Sequence, residues 1–133
     1  MRTVFGDTSF YVAALSPRDT NHSQAQAVGQ GFRGRVFTTE YVLLEVATFF
    51  CGTANRVVFL NLLRSLQIDP EVSIVPASAH LWRRGIDLFA ARLNKDWSLP
   101  DCISFVVMQE QGIHQALTAD HHFEQAGFTA LLK

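Results

Sequence analysis

Short strand-like segments alternate with helix-length segments along the whole chain, and this alternation is the strongest constraint on the fold. Arg2–Phe5, Arg35–Thr38, Val72–Val75, Gln115–Thr118 and Phe128–Leu132 read as strands. Between them, helices are predicted over Phe10–Leu15, Asn21–Gln30, Ala54–Leu66, Leu99–Gln111 and His121–Ala126. Two more begin at caps, one at Thr38 or Thr39 running to about Phe50, the other at Ser78 running to about Leu93. The breaks are chemical: Ser16-Pro17-Arg18-Asp19, Gly31 to Gly34, Gly52, Pro76 and Gly127. Strands separated by helices cannot pair as hairpins. They form a mostly parallel sheet of four to five strands with helices on both faces, a three-layer α/β sandwich. With 133 residues the whole chain, 1–133, is expected to be one domain with a real core.

Ligands of such sheets bind beyond the carboxyl ends of the strands. Four acidic residues are placed to meet there. Asp7 follows the first strand in Val4-Phe5-Gly6-Asp7-Thr8-Ser9, and Asp120 follows the fourth in Leu117-Thr118-Ala119-Asp120-His121-His122-Phe123. Glu45 lies about two turns into a helix that starts at the same edge, among Leu43, Leu44, Val46 and Ala47. Asp101 sits in the first turn of its helix, where the macrodipole favours negative charge. Each also has a plain local role available. Asp7 suits a turn, Asp101 completes a capping box with Ser98, and Asp120 suits an N-cap. Together, four carboxylates at the edge of buried segments need a cation between them. All-oxygen sites favour Mg²⁺ or Mn²⁺. Such a metal lowers the pKa of a bound water and neutralises charge on a phosphate.

These residues carry a resemblance that covers nearly the whole chain. Asp7-Thr8-Ser9, Thr39 followed by Glu45, Trp97 to Ser104 and Thr118 to Phe123 stand in an order and spacing similar to PIN-domain proteins, in particular the VapC-like toxins of type II toxin–antitoxin systems. The resemblance implies a parallel sheet between helices and an acidic Mg²⁺ or Mn²⁺ site. It carries a catalytic role onto Asp7, Glu45, Asp101 and Asp120, with Asp7, Asp101 and Asp120 as metal ligands. Thr118 matches a hydroxyl position near the metal, and Ser9 and Ser104 are further supporting donors. The implied activity is endoribonuclease, usually on structured RNA such as tRNA or ribosomal RNA. The implied partners are a small antitoxin whose C-terminal segment plugs the site, and a second copy of the chain.

Other features narrow the function. The net charge is −1, and the four acids contribute −4 of it, so the remainder of the molecule is at +3 and tolerates a polyanion. Arg83, Arg84, Arg92 and Lys95 on or just after one helix are candidates for phosphate-backbone contact. Asp96 is a candidate for the rim of the site. No Ser/His/Asp relay is evident, so water is the expected nucleophile. The residue two after Asp7 is Ser9, so the Asp-x-Asp pattern of phosphatases that use an aspartate nucleophile is absent. A PIN-like nuclease in RNA processing or on DNA, and an inactive RNA- or protein-binding module, are the alternative readings. His121 and His122 beside Asp120 are not expected to bind zinc, which needs three or four ligands, usually of N or S type, and His122-Phe123 is expected to serve packing and capping. Cys51 and Cys102 read as buried small apolar residues. Val57-Val58-Phe59-Leu60 with Leu62, Leu63 and Leu66 make one helix apolar on nearly all sides, so part of it is expected at an interface with a second copy or an antitoxin. No apolar run approaches the roughly 20 residues of a membrane span, and a cytoplasmic protein is expected.

Overall fold

A computed structural model describes residues 2–133. Five strands, β1 (Thr3–Gly6), β2 (Arg35–Thr39), β3 (Val72–Val75), β4 (Gln115–Leu117) and β5 (Thr129–Ala130), form one sheet in the order β3-β2-β1-β4-β5. Every neighbouring pair is parallel. Seven helices connect and cover them: α1 (Thr8–Leu15), α2 (His22–Gly31), α3 (Glu40–Phe49), α4 (Arg56–Ile68), α5 (Ala79–Ala91), α6 (Leu99–Gln111) and α7 (His121–Gln125). The expected α/β architecture is therefore present, with all five strands parallel.

The sheet grows outward from β1 through β2 to β3, then the chain crosses back to place β4 on the other side of β1. This reversal is a topological switch point, where the loops after β1 and β4 diverge and leave a crevice. Register sets what meets there. Gly6 pairs with Leu117, so Asp7 and Thr118 leave adjacent strands side by side.

The core explains why β1 and α6 sit centrally. Val4 and Phe5 are fully buried, and α6 buries every residue from Cys102 to Met108. Phe105 meets Trp97, Phe123 and Phe128 with ring centroids at 5.0, 4.9 and 5.7 Å, which pins α6 against α7 and the start of β5. Gly85 lets α5 approach α6 closely: a Cβ there would lie 2.4 Å from Cγ1 of the buried Ile103. Gly34 has φ +143° and is held against the Arg2 carbonyl, a conformation that favours glycine.

Two expectations are corrected. The last strand covers only Thr129–Ala130, because Leu131 and Leu132 turn away after bonding to the carbonyls of Ala116 and Thr118. Cys51 is exposed in the turn after α3, while Cys102 is buried as expected. As expected, the core does not take the whole of α4, and none of its residues is completely buried. It packs Val58, Phe59, Leu62 and Leu66 against the core and leaves Val57 and Leu60 exposed. Among the described residues no helix is long and apolar enough to cross a membrane.

Candidate active site

Asp7, Glu45, Asp101 and Asp120 line one cleft, with Thr8, Ser9, Asp19, Asp96, Ser98 and His122 also in its wall. Each acid is delivered by a helix start or a helix face. Asp7 is the N-cap of α1, its Oδ2 accepting the Ser9 N–H at 3.4 Å. The Ser9 and Thr118 hydroxyls also reach Oδ2, at 2.9 and 2.8 Å. The two hydroxyls lie 3.0 Å apart. With one proton each, they make at most two of the three bonds in this triangle at once.

Glu45 comes from α3, where Thr39 caps the helix by accepting the Val42 N–H. Its Oε1 accepts the Thr8 hydroxyl at 2.7 Å. Thr8 and Ser9 thus serve two different carboxylates from consecutive positions. Asp101 sits at the third position of α6 in a capping box. Its Oδ2 accepts the Ser98 N–H, and its own N–H bonds the Ser98 hydroxyl, both at 3.1 Å. Asp120 caps α7, its Oδ1 accepting the His122 N–H at 2.9 Å. The Asp120 N–H in turn donates to Thr118 Oγ1 at 3.0 Å. The local capping roles and the shared cleft are therefore compatible: capping is what orients each aspartate.

One regularity follows from these bonds. Among the described residues, hydrogen bonds reach a single oxygen of each carboxylate: Oδ2 of Asp7, Oε1 of Glu45, Oδ2 of Asp101 and Oδ1 of Asp120. None of these bonds reaches the other oxygen of each carboxylate. Electrostatics agree with unmet demand for positive charge. Burial pushes the Asp7 carboxyl up to about 6, against the lowering effect of the Thr118 and Ser9 hydroxyls and with a further rise from Asp101. Burial also raises Glu45, with the Thr8 bond opposing it. Asp101 is raised by burial and by Asp120, against the Ser98 N–H and His122.

The donor set fits a hard divalent cation. It is all oxygen, negatively charged, and has free lone pairs on four carboxylates. The tightest set of acid and histidine donors among the described residues is Asp120, His121 and His122, within 4.8 Å of one another. Asp7, Asp101 and Asp120 do not close to that separation. Two of the other histidines are engaged elsewhere. His22 Nδ1 lies 2.8 Å from the Ala13 carbonyl, and His80 pairs with Glu110 at 2.7 Å.

Of the supporting hydroxyls, Ser9 and Thr118 contact Asp7. Ser104 is buried one turn beyond Asp101, and no hydrogen bond joins it to the acids. The four basic candidates lie outside the cleft lining. Arg84 is 3.6 Å from Glu110, and Arg92 sits over the Trp97 ring at 5.0 Å. Three contacts were invisible in the sequence: Thr8 on Glu45, Asp19 in the wall, and the His122 ring, whose Nδ1 lies 3.1 Å from Asp101 Oδ2. Asp96, expected at the rim, is in the cleft wall.

Comparisons with known proteins give a consistent pattern. A family model described as PIN domain matches residues 4–129. The 23S rRNA-specific endonuclease VapC20 of Mycobacterium tuberculosis (strain H37Rv) is 27% identical over 128 residues, covering 94% of this chain and 95% of the relative. The crystal structure of M. tuberculosis VapC20, described as a Sarcin-Ricin loop cleaving toxin, superposes with a TM-score of 0.86 at 25% identity, covering 95% of this chain and 96% of that one. VapBC2 from Rickettsia felis, bound to a promoter DNA fragment, superposes with a TM-score of 0.66 at 11% identity, covering 96% of each chain. At that identity the likeness speaks for the fold alone.

Proposed function

The chain belongs to the PIN-domain family, and from that premise we propose that it is a divalent-metal-dependent endoribonuclease of the VapC toxin type. The observation that carries the reading is the set of four carboxylates around one switch-point cleft, each with one oxygen that the capping and hydroxyl bonds do not reach. Asp7, Asp101 and Asp120 would hold Mg²⁺ or Mn²⁺, and Glu45 completes the acidic wall. The bound cation supplies an activated water and charge neutralisation at the scissile phosphate. Ser9 and Thr118 hold Asp7, Thr8 holds Glu45, and Ser98 holds Asp101, so that the free oxygens are preset.

The substrate is RNA, and ribosomal RNA is favoured because VapC20, similar along nearly the whole chain, is named a 23S rRNA-specific endonuclease. Arg83, Arg84, Arg92 and Lys95, which lie outside the cleft wall, are the proposed contacts to its backbone beyond the site. Total RNA from the source organism tests the reading. Purified protein with Mn²⁺ is expected to produce a discrete cut that disappears in EDTA and in Asp101→Asn. Cleavage that persists undiminished in both would overturn it.

The proposed partners are a small cognate antitoxin and a second copy of the chain, in the cytoplasm. Support comes from two exposed apolar surfaces. Tyr41, Leu44, Ala47, Phe59 and Leu63 line a groove between α3 and α4. Trp82, Ile86, Phe89 and Leu93 form an exposed stripe along and just past α5, at helical spacing. Leu44→Asp probes the groove, because Leu44 lines it and is exposed whereas Phe59 packs partly on the core. The variant is expected to keep the wild-type melting temperature and lose co-purification with a co-expressed cognate antitoxin. Undiminished co-purification would remove this surface from the antitoxin interface.

A further inference from the structure

We propose that His122 is a positioning residue of the cleft: its imidazole ties Asp101 of α6 to Asp120 of α7 and sets both for a divalent cation. The inference rests on the nuclease reading of the same site. Asp101 and Asp120 belong to different helices with β4 between them in the chain. Aromatic packing of Phe105 on Phe123, and the Trp97 Nε1–H bond to Gln125 Oε1 at 3.0 Å, bring α7 against α6. Neither contact reaches the carboxylates.

His122 does. Its backbone N–H is bonded to Asp120 Oδ1 at 2.9 Å, which fixes the residue at the head of α7. Its ring Nδ1 is 3.1 Å from Asp101 Oδ2 and 3.4 Å from Asp120 Oδ1. Its side chain is 19% exposed and that of Asp101 13%, so the contact is shielded from water. An ionised carboxylate only accepts, so Nδ1 carries the proton in this contact. Asp101 Oδ2 then holds two donors, the Ser98 N–H and the imidazole, and the carboxylate plane is set with Oδ1 left over. The same N–H lies between two acids that repel one another. Donors behind a ligating carboxylate typically change metal affinity by about 10–100-fold.

The geometry distinguishes one ring nitrogen from the other. An asparagine amide falls near the place of Nδ1, whereas a glutamine amide reaches toward that of Nε2. Titration calorimetry with Mn²⁺ alone, on the full chain, is the test, alongside melting temperatures in EDTA. His122→Ala is expected to weaken Mn²⁺ binding about 10-fold or more, His122→Asn to recover most of it, and His122→Gln to recover little. Equal affinities for the three variants, or losses that track their melting temperatures, would overturn the proposal. If the wild-type protein itself binds no Mn²⁺, the nuclease reading falls. The tie is then decided in EDTA by a urea-denaturation cycle of His122→Ala and Asp101→Ala. Additive effects overturn it, and coupling between the two positions upholds it.

Discussion

Asp7→Asn is expected to abolish metal-dependent RNA cleavage and, in the same protein, to raise the melting temperature of the metal-free form at neutral pH. Asp7 is 6% exposed, and burial lifts its carboxyl from 3.8 to about 6. A folded-state value above the unfolded one means that this group favours the fold when protonated. Its contribution is fully present below about pH 4 and is lost as pH rises through 6. At pH 7.5 the metal-free fold therefore carries a buried, uncompensated charge, at an upper cost of about 3 kcal/mol from roughly two pKa units. Asparagine removes the charge and keeps an acceptor for the Ser9 and Thr118 hydroxyls. A gain of about 1–3 kcal/mol in EDTA, several degrees in melting temperature, is expected at pH 7.5, shrinking toward pH 4. Mn²⁺ should stabilise the wild type and leave the variant unchanged. Cleavage should fall by at least about 1,000-fold, the scale of losing several kcal/mol of charge stabilisation. A lower melting temperature for the variant in EDTA would mean that the carboxylate serves the fold instead of a cation.

Thr118→Val should have the largest effect on stability. The replacement keeps shape and removes one hydroxyl from a site with no solvent exposure. That hydroxyl donates to Asp7 Oδ2 and accepts the Asp120 N–H. Losing it strips a hydrogen bond from a buried carboxylate, worth about 1.5–3 kcal/mol, and leaves a backbone N–H without its acceptor, at about 1–3 kcal/mol. A loss of about 3–5 kcal/mol is expected, a large share of a typical folding free energy of about 5–15 kcal/mol. Thr118→Ser keeps the hydroxyl and should lose far less. Urea denaturation in EDTA measures both, and equal losses for the two variants would show that methyl packing, not the hydroxyl, matters here. Mn²⁺ affinity of Thr118→Val should also fall, because Asp7 loses one of the two hydroxyls that orient it.

These two residues mark where the sequence was legible. Asp7 could be picked out because it ends a strand of buried residues at a glycine, and Asp120 because it follows a second strand and precedes a helix. Helix and strand limits were readable to within a few residues wherever a cap or breaker marked them, as at Thr39, Ser78 and Ser98. The short β5 was not, since Phe128 to Leu132 is uniformly apolar or β-prone and nothing local says where pairing stops. Nor was the one-sided burial of α4, because an all-round apolar helix gives no sign of which face the core takes.

The sequence by itself determined the alternation of strands and helices, hence a parallel sheet, and the placement of acids at the ends of its strands. Those are consequences of local chemistry: periodicity, capping and turn residues act over a few positions. Only the tertiary structure decided which oxygen of each carboxylate is taken and by whom. Thr8 finding Glu45 across 37 positions, Thr118 finding Asp7 across 111, and His122 finding Asp101 across 21 depend on strand order and register. Strand order is set by how helices pack on the finished sheet, and no local sequence pattern encodes that distance.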